Sequence, residues 1–210
     1  MKTILCFGDS NTHGFVPQKF GRYPKDVRWP GLLAKLLGPE YSVIEEGCNG
    51  RTTMFTSPKD DAINGLPYLK PCLISHKPLD YVILMLGTND SKQEFGLDAA
   101  KIADAAGVLV KVIQNFGNEI QGVVPEIILV APARIGENYE ASPFYPDFDK
   151  KSFEESKKFA AEYKRVADEL GCRFYDAADV DISPFDSVHF TEKGHRMLAE
   201  GLAAEILKDK

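Results

Sequence analysis

The amino-acid sequence predicts an α/β protein of three layers, α/β/α, in which a doubly wound five-stranded parallel sheet lies between helices. Two observations carry that reading: short apolar runs recur along the chain, and helical patterns fall between most of them. The runs are Thr3 to Phe7, Tyr41 to Glu45, Tyr81 to Leu86, Ile127 to Ala131 and Arg173 to Tyr175. In the third, Val82, Ile83, Leu84, Met85 and Leu86 follow one another without alternation, as in a strand covered on both faces.

The helices have their own signals. Trp29 to Leu37 places Pro30 in a first turn and Gly38 at a C-terminus. From Asp98 to Phe116, residues Ile102, Ala106, Leu109, Val110, Ile113 and Phe116 share one helical face. Ser152 followed by Glu155 reads as a capping box that opens a helix with Phe159, Tyr163, Val166, Ala167 and Leu170 inward, ended by Gly171. A last helix from Thr191 presents Leu198, Leu202 and Ile206. Right-handed crossovers then gather the loops that follow the strands along one sheet edge, where ligands bind in open α/β sheets.

With no repeat, linker or low-complexity tract, residues 1–210 read as one domain. The irregular segments from Pro17 to Val27 and from Arg134 to Lys151 read as functional covers, the second as an interface or a lid. A formal net charge of −6 argues against nucleic-acid or anionic-membrane partners, which need a clustered basic surface. No stretch reaches the roughly 20 apolar residues of a membrane span, and the N-terminus lacks a signal-peptide pattern. Cys6, Cys48, Cys72 and Cys172 lie far apart, without C-x-x-C or a neighbouring histidine pair, so no zinc site is expected. Cys6 and Cys172 read as buried small hydrophobes, and free thiols suit a reducing compartment, here the cytoplasm. The first strand is followed by neither G-x-G-x-x-G nor a P-loop, which disfavours a nucleotide-binding domain.

Four loops on the expected edge carry polar groups of catalytic type. After the first strand comes Gly8-Asp9-Ser10-Asn11-Thr12-His13-Gly14, with Ser10 on a sharp turn near free helix N–H groups; a simple Ser/Asp helix cap is the better account of the segment when it stands alone. After the second comes Gly47-Cys48-Asn49-Gly50-Arg51-Thr52-Thr53, where Gly50 would let a backbone N–H approach a ligand, or simply make a turn. After the third comes Gly87-Thr88-Asn89-Asp90, where the Asn89 amide can face developing negative charge or close an Asx turn. After the fifth comes Asp186-Ser187-Val188-His189-Phe190, whose spacing lets Asp186 reach Nδ1 of His189 and leaves Nε2 free to take a proton. His195 is expected at the surface of the last helix, His76 at the wrong sheet edge, and His13 lacks a carboxylate at suitable spacing other than Asp9.

Taken together these blocks resemble the SGNH (GDSL-type) hydrolase family, whose markers Ser, Gly, Asn and His match Ser10, Gly50, Asn89 and His189 in that order. The runs I-L-C-F-G-D-S, D-V-R-W, V-I-E-E-G and M-L-G-T-N-D bring the chain nearest to bacterial arylesterases and acyltransferases of that family. Asn11 departs from the commonest leucine. By its position before Arg51-Thr52-Thr53, Gly50 rather than Gly47 is the marker glycine. The resemblance implies a flavodoxin-like sheet and a serine esterase acting on small aryl or short-chain carboxylic esters, with Ser10 as nucleophile, His189 as base and Asp186 as its orienter. It further implies an oxyanion hole of Ser10, Gly50 and Asn89, no cofactor and no metal, a homo-oligomer, and acyl transfer as a second outcome of the acyl-enzyme. Phe15, Trp29, Phe55, Phe144, Tyr145 and Val188 are candidates for an apolar substrate pocket. Deacetylation of carbohydrates, thioester hydrolysis and lysophospholipid hydrolysis stand as alternatives with the same residues, and a non-catalytic binding module as an alternative of another class.

Overall fold

A computed structural model describes residues 1–57 and 63–208. Strand β1 (Lys2–Gly8) runs into a single helical turn, α1 (Ser10–His13), and a small antiparallel hairpin of β2 (Phe15–Val16) and β3 (Gly21–Arg22). Helix α2 (Trp29–Leu37) leads to β4 (Tyr41–Gly47), α3 (Gly65–His76) to β5 (Tyr81–Met85), and α4 (Ala99–Phe116) to β6 (Glu126–Ala131). Helices α5 (Lys150–Ser156) and α6 (Phe159–Leu170) precede β7 (Arg173–Asp176), and α7 (Glu192–Leu207) follows it.

The order β4-β1-β5-β6-β7 is parallel throughout, so every expected strand is present, with ends shifted by one or two residues. Strand alternation divides the apolar runs between two cores. Leu5, Phe7, Val82, Leu84 and Leu129 face α3, α4 and α6, packing on Leu69, Leu73, Ile102, Leu109, Phe159 and Tyr163. Ile4, Cys6, Ile83, Met85, Ile128 and Val130 face α2 and α7, packing on Trp29, Leu33, Leu198, Leu202 and Ile206. Each side chain fully buried in this way contributes roughly 1.5–3 kcal/mol of transfer free energy. Because β4 lies on one side of β1 and β5 on the other, the topological switch point falls at the end of β1. Ser10 stands there.

Several local expectations change. Asp149, not Ser152, caps α5: its side chain accepts the N–H of Ser152, and the Ser152 hydroxyl accepts the Asp149 N–H in return. A break after Ser156 separates α5 from α6, and Glu155 instead accepts the backbone N–H of Ala99. Helix α3 has no counterpart among the expected helices, and it holds Pro67 and Pro71, residues that local rules place outside helix interiors. Pro67 lies in its first turn, where an N–H has no intrahelical partner to lose, and Asn64 caps the start by accepting from Leu66.

The largest change concerns His195, expected at the surface and found fully buried. It lies three residues before Leu198 and seven before Leu202, on the apolar face of α7. Its Nδ1 accepts the N–H of Trp29 at 3.2 Å. Arg28 offers α2 no side-chain cap, so a histidine from another helix satisfies an N–H at the start of α2. Burial, helped by the positive fields of His189 and Arg28, lowers its pKa to about 3. The unfolded chain therefore binds a proton at His195 that the folded chain refuses, and this share of stability is lost as pH falls from 6.5 toward about 3. Urea midpoints across that range should fall less steeply for His195→Gln than for the unaltered protein; parallel slopes would contradict a neutral buried imidazole.

Candidate active site

Gly8 is required where β1 gives way to α1. A Cβ there would stand 2.1 Å from the Thr12 Oγ1 and 2.8 Å from the Met85 carbonyl oxygen. Asp9 caps the turn by accepting the N–H of Asn11 at 2.9 Å, and Ser10 becomes its first helical residue, almost buried. The Ser10 Oγ lies 2.9 Å from Nε2 of His189, and Nδ1 of that ring lies 2.8 Å from Oδ2 of Asp186. The fully buried Asp186 also accepts the backbone N–H groups of Val188 and His189 through Oδ1. With Nδ1–H donating to the carboxylate, Nε2 turns its lone pair toward the Ser10 hydroxyl. The tight turn between them holds Ser187 at φ 60°, a left-handed conformation uncommon outside glycine. Bonds from the Ser187 N–H to Ser183 and from the Gly136 N–H to Ser187 hold it there.

Across the pocket stand Gly50 and Asn89. Gly47 serves packing instead. A Cβ there would meet the His13 backbone N at 2.1 Å, so its absence lets α1 lie on the end of β4. Gly50, at φ +75°, turns the chain along the pocket wall. The Asn89 Nδ2 donates to the Arg51 carbonyl at 3.1 Å, which fixes the amide plane. Arg51, nearly buried, donates to the carbonyls of Gly8 and Glu46, and its guanidinium lies over the rings of Phe7 and Tyr68. Asp90 accepts both the N–H and the hydroxyl of Thr53. Burial raises Asp9 and Asp90 each to about 6, against the hydrogen bonds that favour their charge. Arg51 and Asp90 thus tie the loops after β1, β4 and β5 together, a role that their places in the motifs do not reveal.

Residues 6–197 match the model of the GDSL-like lipase/acylhydrolase family. The chain belongs to that family. It is similar to a carbohydrate acetylesterase from Sinorhizobium meliloti, 34% identical with a TM-score of 0.93 and 100% of each chain covered. An aryl esterase from M. smegmatis is 36% identical, with a TM-score of 0.91 and 99% of each chain covered. A curated acetylxylan esterase from Xylanibacter ruminicola is 27% identical over 224 residues, which take in 97% of this chain and 42% of that protein's length. The chain therefore spans less than half of that relative, and is itself an esterase of the GDSL-like family.

The esterase's pocket is a small cavity of about 150 Å³. Of the expected lining residues, Phe15, Phe144 and Val188 are there, with Phe148, Lys92, Asn49 and Asp147 in addition. The Phe15 ring centre lies 4.3 Å from that of His189 and the Phe144 ring centre 5.4 Å from it, so the imidazole is flanked by two aromatic rings. Trp29 is instead buried in the core under α7, where its size serves packing. Phe55 packs on Phe95 rather than on the pocket, and Tyr145 is exposed on the covering segment. Both irregular segments do reach the site: Phe20 and Phe144 approach each other above Phe15, and Ser142 donates to the Asp186 carbonyl at 2.7 Å. His13 does not line the pocket; its pKa is lowered by partial burial and by Arg22. His76 bonds to Glu46, away from the pocket.

Asn11, the departure from the family's commoner leucine, acts as a latch. Its Nδ2 donates to the Val188 carbonyl at 3.2 Å, and its Oδ1 accepts the Phe190 N–H at 2.9 Å. Those bonds flank His189 and join it to the residue beside Ser10. Asn11→Ala should lower kcat toward p-nitrophenyl acetate roughly 10- to 100-fold with little change in KM, because small misplacements of reacting groups are costly. An unchanged kcat would show that the bonds to Asn11 do not set the position of His189.

Proposed function

We propose that this esterase removes short acyl groups, acetyl foremost, from small-molecule esters through a covalent intermediate on Ser10. The observation that supports this most is the unbroken chain Ser10 Oγ, His189 Nε2, His189 Nδ1 and Asp186 Oδ2, with links of 2.9 and 2.8 Å. As Oγ attacks the ester carbonyl, His189 accepts its proton and Asp186 stabilises the imidazolium. The backbone N–H groups of Ser10 and Gly50 and the second N–H of the Asn89 amide serve as donors to the tetrahedral oxyanion. His189 then returns the proton to the leaving alcohol. Water, or a second alcohol in an acyl transfer, attacks the acyl-serine and regenerates the free hydroxyl.

Ser10→Ala should abolish both fluorophosphonate labelling and ester turnover, and His189→Asn should abolish turnover while His13→Asn does not. Asn89→Ala should lower kcat by roughly 10²- to 10³-fold, the loss typical of one oxyanion donor. A Ser10→Ala enzyme that still labels and turns over would refute the assignment.

The acyl side of the substrate is limited by the small cavity and by the rings of Phe15, Phe144 and Phe148. Across p-nitrophenyl acetate, butyrate, octanoate and palmitate, kcat/KM should be highest for acetate or butyrate; a maximum at palmitate would reject the short-acyl reading. The alcohol side has two candidates, and the named activities of the neighbours favour both. Aryl alcohols fit the likeness to the aryl esterase, and acetylated sugars fit the likeness to the carbohydrate and xylan acetylesterases. Acetate release from acetylated xylo-oligosaccharides, compared with phenyl acetate, separates them.

A further inference from the structure

Outside the pocket, α3 and β4 gather a second set of reactive side chains. Cys72 and His76 are four residues apart on α3, so they share one helical face. That face lies against Glu46, whose side chain leaves β4 on the same side as Ile44. Three different donor atoms, a carboxylate oxygen, a thiol sulfur and an imidazole nitrogen, lie within 4.8 Å of one another. Nε2 of His76 is 2.9 Å from Oε1 of Glu46, and the Tyr68 hydroxyl donates to Oε2 at 3.1 Å. The sulfur forms the closed inner wall, since Cys72 is 2% exposed. The side chains of Glu46 and His76 are 19% and 31% exposed, which leaves an approach from solvent.

We propose that Glu46, Cys72 and His76 form a binding site for one zinc-like divalent cation, with water as the fourth ligand. Tetrahedral zinc holds sulfur at about 2.3 Å and nitrogen or oxygen at about 2.0–2.2 Å, which places the ligand atoms roughly 3–4 Å apart. The Glu46–His76 pair, at 2.9 Å, has to open to meet that spacing, and the Cys72 sulfur lies within 4.8 Å of both partners. One such side chain on a strand and two on a rigid helix fix the donors in advance. The Tyr68 hydroxyl then orients the carboxylate from behind, as outer partners of metal ligands do. On binding, the Cys72 sulfur forms a bond to the cation and gives up one proton to solvent. His76, whose Nε2–H donates to Glu46 before binding, exchanges that proton with solvent for one on Nδ1 and coordinates through the freed Nε2 lone pair, and Glu46 Oε1 changes from hydrogen-bond acceptor to ligand. The cation is neither oxidised nor reduced.

The absence of C-x-x-C and of a histidine pair excludes only sites built from those spacings. It does not reach a site assembled from one cysteine, one histidine a helical turn later, and a glutamate on a neighbouring strand. The site touches the active-site scaffold through Arg51: the Glu46 carbonyl accepts from it, and its guanidinium lies over Tyr68. The Ser10 chemistry proposed above uses none of these three ligands, so the two readings stand or fall separately.

Cobalt(II) makes the test independent of activity. The full chain, freed of metal by a chelator and gel filtration, should bind one equivalent of Co²⁺. Tetrahedral d–d bands and a near-ultraviolet thiolate-to-cobalt band should appear together, and one equivalent of Zn²⁺ should erase both. Cys72→Ala should remove the thiolate band, and His76→Ala should weaken binding at least about tenfold, by the 10- to 100-fold scale on which metal-site groups act. Glu46→Gln, which keeps the side chain's shape, should also weaken binding, whereas Cys48→Ser and Cys172→Ser should leave the spectrum intact. A Co²⁺ spectrum without a thiolate band at saturation, or a band that survives in Cys72→Ala, would overturn the proposal.

Discussion

The bond between Ser10 and His189 joins side chains 179 positions apart, and the rest of the structure is arranged so that it can form. The serine is placed by β1 at the centre of the sheet, where the winding changes direction. The histidine arrives on the loop that leads from β7 into α7. Only the common edge of a parallel sheet brings those two chain segments together. Sheet geometry alone sets their approach coarsely. The final placement comes from Asn11, which bonds on both sides of His189, and from Asp186, which holds its own loop as well as the imidazole.

This arrangement has an energetic cost. Asp9, Arg51 and Asp90 are buried beside the pocket, and burial disfavours the charged form of each carboxylate enough to bring both to about 6. Apolar residues would fill that space with less desolvation, but they would not hold carbonyls and amides in fixed directions. Arg51 binds the carbonyls of Gly8 and Glu46 and offers its own carbonyl to Asn89. The hydrogen-bond donors of the pocket are thus oriented before any substrate arrives, which is the condition under which such donors lower a barrier. His195 meets a similar need in the fold, remaining neutral so that it can accept the first N–H of α2.

Much of this is legible in the residues because a parallel sheet leaves a strong trace. Strands covered on both faces are continuous apolar runs, and the loops after them carry Ser10, Gly50 and Asn89 at glycine-marked turns and His189 three residues after Asp186. Legibility fails where a distant partner overrules a local rule. A histidine on a terminal helix is usually exposed, yet the spacing of His195 from Leu198 already places it inward. Helix α3 holds Pro67 and Pro71, residues that local rules place outside helix interiors. Trp29, Phe55 and Tyr145 flank the motifs in sequence, yet strand and helix direction carries them away from the pocket, whereas Phe148 enters it from the covering segment. Asn11, Arg51 and Asp90 act through contacts with residues far off in the chain, and no spacing rule reports those.

The most direct test of the central contact is peptide mapping by mass spectrometry after mixing with p-nitrophenyl acetate and quenching within one turnover. A single acetyl group is expected, located on the Ser10 oxygen and lost again as substrate is exhausted. A burst of p-nitrophenol accompanied by acetyl on another side chain, or by no acetyl on Ser10 at any time, would contradict a nucleophilic Ser10 driven by His189.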